Sequence, residues 1–438
     1  MKKTPLALAL CTAFITSFAV ATPAHADDAA LLQKIEKLAA ELESIKAQLA
    51  ASKKKTEQVE EKQVALAAQL STPTTTANIA ANESNKSQAQ TIISSYGEIN
   101  YTQPKAAHNQ AQADVARAVI GVHHRFDEKT KMVGEFEWEH AVTSADDKGE
   151  AEVEQLYVEH EFAPGYAVKA GLFLIPMGFL NTAHEPTAYY GVHRNFIETA
   201  IIPTTWREAG FSVTANYDNG ISWDAGISTG FDLSKWDAKE TEGLESPLRS
   251  IHQEGQLAKS KDLSMHAAIN WRGQPGLLVG GSIFSGKAGH GTADFAANNA
   301  KITLIDAHVR YTPDNWDLSA LIARGSISNI DALNLTFAGQ AAPVPSTFSG
   351  WYLQAAYQLW KTNSYTLSPF VRYEQFNTAK SYTAMPQGLA ATPGSDEKVT
   401  TFGANFKIGE GVVLKADYQK FKQDSSRDRY NLGVGYAF

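Results

Sequence analysis

The sequence predicts an all-β chain: a sixteen-stranded antiparallel β-barrel that crosses a membrane, preceded by an α-helical coiled coil. Three observations predict it. From Ile92 onward the chain is a series of segments in which apolar and polar residues alternate, the period of two of a β-strand. The separators between those segments are short and long by turns. Mean hydropathy is only −0.27, and no apolar run of spanning length follows the first 26 residues. That excludes helical spans but not a barrel, whose strands need only about ten residues with alternate positions apolar.

Residues 1–26 carry Lys2 and Lys3, an apolar run from Leu6 to Ala21, and a close on Ala24-His25-Ala26, the pattern of a secretory signal peptide cut after Ala26. A lipoprotein reading at Cys11 is disfavoured by Leu10, which stands where a small residue is required. Cys11 is the single cysteine, so the mature chain would have none, which excludes disulfides, thiol catalysis and cysteine metal sites. Cleavage would also take the basic count from 39 to 37 against 47 acids, a balance that disfavours nucleic acid as a partner.

Within residues 27–70 apolar side chains recur at Leu31, Ile35, Leu38, Leu42, Ile45 and Leu49, then more weakly at Val59, Leu66 and Leu70. Steps of four and three make a narrow heptad seam, and Glu and Lys fill the other positions. This predicts a periplasmic coiled coil of two or three chains, with a lone amphipathic helix as the alternative. Residues 71–90 have no periodicity and read as a linker.

The barrel domain, 91–438, divides into strands at about 91–101, 114–126, 130–141, 152–162, 166–173, 209–217, 221–231, 262–272, 277–286, 301–312, 315–327, 350–360, 365–376, 398–408, 411–421 and 428–438. Seven separators are tight turns, among them "APG" near Pro164, "DNG" at Asp218 to Gly220 and "GEG" at Gly409. The intervening loops are longer, and such segregation of loop lengths is that of an outer-membrane barrel with periplasmic turns and external loops. Alternation sets the faces. In "VVLKADYQKF", Leu414, Ala416 and Tyr418 oppose Lys415, Asp417 and Gln419; in "LSMHAAINWR", Met265, Ile269 and Trp271 oppose Ser264, His266, Asn270 and Arg272. A face with so many charges wants water, and sixteen strands leave room for a channel. In "RYNLGVGYAF" large side chains fall on every second residue to Phe438, which the last strand would place at the membrane interface on closing against the first.

The signal peptide, the sixteen strands and the terminal aromatic-x-Phe resemble a Gram-negative porin. That resemblance implies recognition of the last strand by the barrel-assembly machinery. The run Gly171-x-Phe173-x-x-Pro176, a long loop with Arg194 and Glu198, and Trp206-Arg207-Glu208-x-Gly210 resemble the phosphate-selective porin O and P family, over roughly the whole barrel. The resemblance implies an anion or phosphate channel with inward arginines and a lysine cluster. Here the inward charges are mixed. By strand parity the bases include Arg117, Arg372, Lys415 and Arg429, and the acids Glu135, Glu137, Glu139, Glu159 and Glu161.

The third long loop, Leu174 to Glu208, holds Ile175, Phe179, Leu180, Tyr189, Tyr190, Phe196, Ile197, Ile201, Ile202 and Trp206. So much apolar surface should not face solvent. Folded into the barrel, the loop would bury it against the wall and present Arg194, Arg207, His184, His193, Glu185 and Glu198 as a pore constriction; a subunit contact or an external lid is the alternative. The expected function is passive diffusion of small hydrophilic solutes through an outer-membrane, homotrimeric porin in contact with lipid. The alternatives are selective uptake of phosphate or other inorganic anions, and a structural protein tethering the envelope by coiled-coil contact with peptidoglycan. No enzyme motif, metal site or cofactor site is expected. The histidines are scattered, and the adjacent His123 and His124 point to opposite faces of one strand.

Overall fold

A computed structural model describes residues 90–144 and 147–438. The expected signal peptide, coiled coil and, apart from Gln90, the linker lie outside the described residues. The strands are β1 (Gln90–Pro104), β2 (Gln112–Arg125), β3 (Thr130–Glu139), β4 (Ala151–Ala163), β5 (Tyr166–Leu174), β6 (Arg207–Asn216), β7 (Ile221–Ser228) and β8 (Ser264–Gln274). They continue as β9 (Leu277–Lys287), β10 (Lys301–Tyr311), β11 (Trp316–Ser328), β12 (Thr347–Tyr357), β13 (Tyr365–Ser381), β14 (Glu397–Ile408), β15 (Val412–Phe421) and β16 (Arg429–Ala437). The two-residue segment Trp360–Lys361 pairs with the same neighbour as β12 and continues that strand past a kink.

Each strand pairs antiparallel with the next, and β1 pairs with β16 from Tyr96 opposite Ala437 to Pro104 opposite Arg429, so the sheet closes. Closure removes every sheet edge, the condition for a sheet surrounded by lipid. Phe438 adds two more bonds, its N–H to the Ser95 carbonyl and its carbonyl from the Ser95 N–H. Four short turns carry a glycine at positive φ, Gly165, Gly220, Gly276 and Gly409, where a side chain would strain the turn.

The outer surface is apolar. Ile120, Leu156, Ile227, Met265, Ile269, Ile283, Ile305, Ile322, Leu353, Leu414, Leu432 and Val434 are all exposed. At the short-turn rim exposed aromatics form a belt through Phe126, Phe162, Tyr217, Trp271, Tyr311, Trp316, Trp360 and Tyr365, with Phe438 at its end. The inward partners are buried and polar, as alternation predicts: Lys415, Asp417 and Gln419 on β15, Ser264 and His266 on β8, Asn431 on β16.

One part of the interior differs from a purely wet lumen. Inward positions of β9 to β12 carry Phe284, Ile302, Leu304, Leu321, Ile327 and Phe348, buried by the long loops. Trp206 sits among Phe231 and Phe284, with ring centroids 4.9 and 4.5 Å away. The physical reason is complementarity: a loop rich in isoleucine and aromatics needs an apolar seat, and the wall from β9 to β12 supplies one.

Candidate functional site in the barrel lumen

The segment from Ile175 to Trp206 leaves β5 and returns to β6 through the interior. Its neck is closed by backbone and side chain together. Ile175 N–H donates to the Trp206 carbonyl at 3.0 Å. Asn181 donates to the carbonyls of Ile175 and Trp206 and accepts from the Trp206 N–H, at 2.6–2.8 Å. The motif glycines have a local reason. Gly171 and Gly210 face each other across β5 and β6. Gly171 has φ +135°, and a Cβ there would lie 2.3 Å from the Leu156 carbonyl oxygen.

Beyond the neck the loop is tied to inward side chains on the wall from β11 round to β1. The Tyr189 hydroxyl donates to Glu98 on β1 at 2.7 Å, and Tyr190 to Asp317 on β11 at 2.9 Å. The Val192 N–H donates to Asp417 on β15, and the Phe196 N–H to Glu374 on β13, both at 2.6 Å. One π-helical turn, Ile197–Ile201, seats Ile197 and Ile201 in the apolar core, both fully buried. It also places Glu198 where the carboxylate accepts the N–H groups of Phe179 and Leu180, the Asn195 amide and the Tyr352 hydroxyl. Burial pushes the Glu198 carboxyl above its ordinary range, and those donors pull it partly back.

The sequence-predicted loop residues therefore separate into two groups. His193 and Arg194 line a cavity of about 320 Å³ on the long-loop side, together with Glu98, Arg117, Glu137, Glu139 and Arg429. Arg194 donates to the hydroxyls of Thr204 and Thr205. Burial, then the nearby Arg429 charge, lowers His193 to about 4, so it is neutral at pH 7. His184 and Glu198 within the loop, and Arg207 at the start of β6, are buried rather than on an open path, and Glu185 is half-buried. Arg207 opens β6 and contacts Glu152 at 2.5 Å and Glu254 at 3.3 Å.

Three of the predicted lumen charges are paired with an opposite charge. Arg117 pairs with Glu98 at 2.9 Å, Arg372 with Glu374 at 2.8 Å, and Glu159 with Lys131 at 2.8 Å. Lys415 lies 3.5 Å above the Tyr189 ring, and Arg429 donates to Gln419. Glu135 accepts from Gln155, Glu137 is buried, Glu139 is half-buried, and Glu161 is exposed near the short-turn rim.

Sequence reasoning missed the second cavity, also about 320 Å³, on the short-turn side of the loop. It is lined by Arg272, Arg310 and Lys407 with His308, Asn270, Asn405, Tyr189 and Tyr190, and no carboxylate lines it. These bases sit at the short-turn ends of their strands, where strand parity gives facing but not height.

No protein-family model matches the chain. An uncharacterised protein of Aquifex aeolicus (strain VF5) is 29% identical over 357 residues, 79% of each chain. Among solved structures, Salmonella typhi OmpF in complex with daunomycin is similar at a TM-score of 0.55 and 12% identity, covering 81% of this chain and 99% of that one. The outer membrane channel DcaP of Acinetobacter baumannii is similar at 0.52 and 11%, covering 82% and 100%. A loop L8 deletion mutant of OmpT, an outer membrane protein of Vibrio cholerae, is similar at 0.51 and 10%, covering 80% and 99%. The likeness is one of fold: this barrel is built as outer-membrane porin barrels are.

Proposed function

We propose that the chain is an outer-membrane porin that passes small polar or ionic solutes by diffusion, with the Ile175 to Trp206 loop as its constriction. The observation that carries the reading is that loop, bound through Glu98, Asp317, Glu374 and Asp417 to strands around the barrel. The apolar outer band and its aromatic belt support insertion in a bilayer. The mixed cavity on one side of the loop and the carboxylate-free one on the other create a field along the path, which selects by charge as well as size.

Anion-selective uptake, phosphate included, is the second reading, favoured by Arg272, Arg310 and Lys407 around one cavity. Arg310 is already held by Asp317 at 2.9 and 2.6 Å, which leaves Arg272 and Lys407 to attract an anion. Purified protein in a planar bilayer is expected to conduct, with weak selectivity in the zero-current potential under a salt gradient and current that rectifies. Strong anion selectivity with block by low phosphate selects the second reading, and absence of conductance rejects both.

The heptad seam, which allows two or three chains, and the likeness to porins together suggest a trimer. Removal of residues 27–90 is expected to lower the heat resistance of a trimer in detergent. An intact protein that is monomeric at every concentration in size-exclusion chromatography with light scattering contradicts the trimer.

A further inference from the structure

We propose that Glu135, Glu154 and His184 form a binding site for one divalent transition-metal ion, which clamps the lumen loop to the barrel wall. The three side chains come from β3, β4 and the loop, and one ligand atom of each lies within 4.8 Å of the others. An ion with bonds of about 2.1 Å holds ligand atoms up to about 4.2 Å apart, so a small side-chain adjustment closes the set. A β-bulge makes the arrangement possible. Glu135 faces Gln155 and Phe136 faces Val153, so Glu154 is the extra residue and its carboxylate turns inward beside Glu137.

The carboxylates there are incompletely paired. Glu154 is fully buried and Glu137 nearly so, yet Oε1 of each has no hydrogen-bond partner. The Tyr96 hydroxyl donates to Glu154 Oε2 and lies beside His184 Nε2, both at 2.6 Å. His184 Nδ1 is 3.2 Å from the Asn181 carbonyl, which only accepts. Nδ1 thus makes the backbone contact of a metal-binding histidine, and Nε2, 3.7 Å from Glu154 Oε2, is the ring atom that would ligate. The nearby Arg117 is engaged by Glu98 and by the His184 carbonyl, with its Nη1 left unpartnered. Among the described residues no lysine or arginine forms an ion pair with Glu135, Glu137 or Glu154. One imidazole with two carboxylates suits zinc or manganese better than calcium or magnesium.

The site does not depend on whether the barrel conducts. Full-length protein purified in detergent, stripped with EDTA and dialysed against zinc chloride, is expected to hold one zinc per chain by elemental analysis and calorimetry. A tenfold excess of calcium should not displace it. Glu154→Gln and His184→Ala should each weaken binding at least as much as the roughly 10–100-fold cost of losing an outer-shell partner. Glu135→Gln, at a half-buried position that tolerates change, should do the same with the heat-shifted gel mobility of a folded barrel retained. His160→Ala, at an exposed histidine near the short-turn rim, should leave binding unchanged. No stoichiometric zinc, or equal affinity in Glu135→Gln and the unsubstituted protein, overturns the proposal and leaves a proton shared by Glu137 and Glu154 as the account of the cluster.

Discussion

Glu198→Ala is expected to raise single-channel conductance several-fold and to make it noisy while the barrel stays folded. Glu198 is buried and accepts from the Phe179 N–H at 2.6 Å, the Leu180 N–H at 2.7 Å, Asn195 Nδ2 at 2.6 Å and the Tyr352 hydroxyl at 3.2 Å. A buried donor left without its acceptor costs about 1–3 kcal/mol, and alanine strands four of them. That sum exceeds what the local packing of one loop withstands, so the loop opens before the strand ladders do. Glu198→Gln keeps an acceptor for the two backbone donors and should have a smaller effect. Bilayer recordings check the conductance, and heat-shifted mobility on a gel checks the barrel. Unchanged conductance with the loop released, seen as new protease cleavage within it, would mean that the loop does not limit the pore.

Arg194 and Arg207 should behave oppositely. Arg207→Ala removes the one cation between Glu152 and Glu254, and Glu254 also takes His252 at 2.7 Å. Breaking a fully buried pair costs about 3–5 kcal/mol; since these glutamates are 24% and 23% exposed, about 2 kcal/mol is the expected loss. The melting temperature in detergent should fall by several degrees with little change in selectivity. Arg194→Ala takes a base from the cavity wall but only hydroxyl and carbonyl partners from the guanidinium, so stability should hold while the zero-current potential shifts toward cations. A selectivity shift in Arg207→Ala at constant stability would reverse these roles.

What the sequence determined by itself is whatever depends on neighbours along the chain. Alternation of apolar and polar residues and the chemistry of the turns are local, and they located all sixteen strands, most within a residue or two; β13, which runs on to Ser381, is the longest extension. They also gave the facing of Met265, Leu414, Leu432, Lys415 and Asn431. The lumen loop was legible as an anomaly, an apolar segment too large to be left in water. Tertiary structure alone decided the rest. The extra residue in β4 reverses its parity, so Glu152 and Glu154 face inward along with Gln155 and Glu159, and a strict alternation count sends the first two to the lipid side. Pairing was equally hidden, because Arg207 meets Glu254, Arg117 meets Glu98 and Tyr190 meets Asp317 only once the barrel has closed. Facing is a property of the backbone period, whereas height in the lumen and the choice of partner depend on the register of strands far apart in the chain.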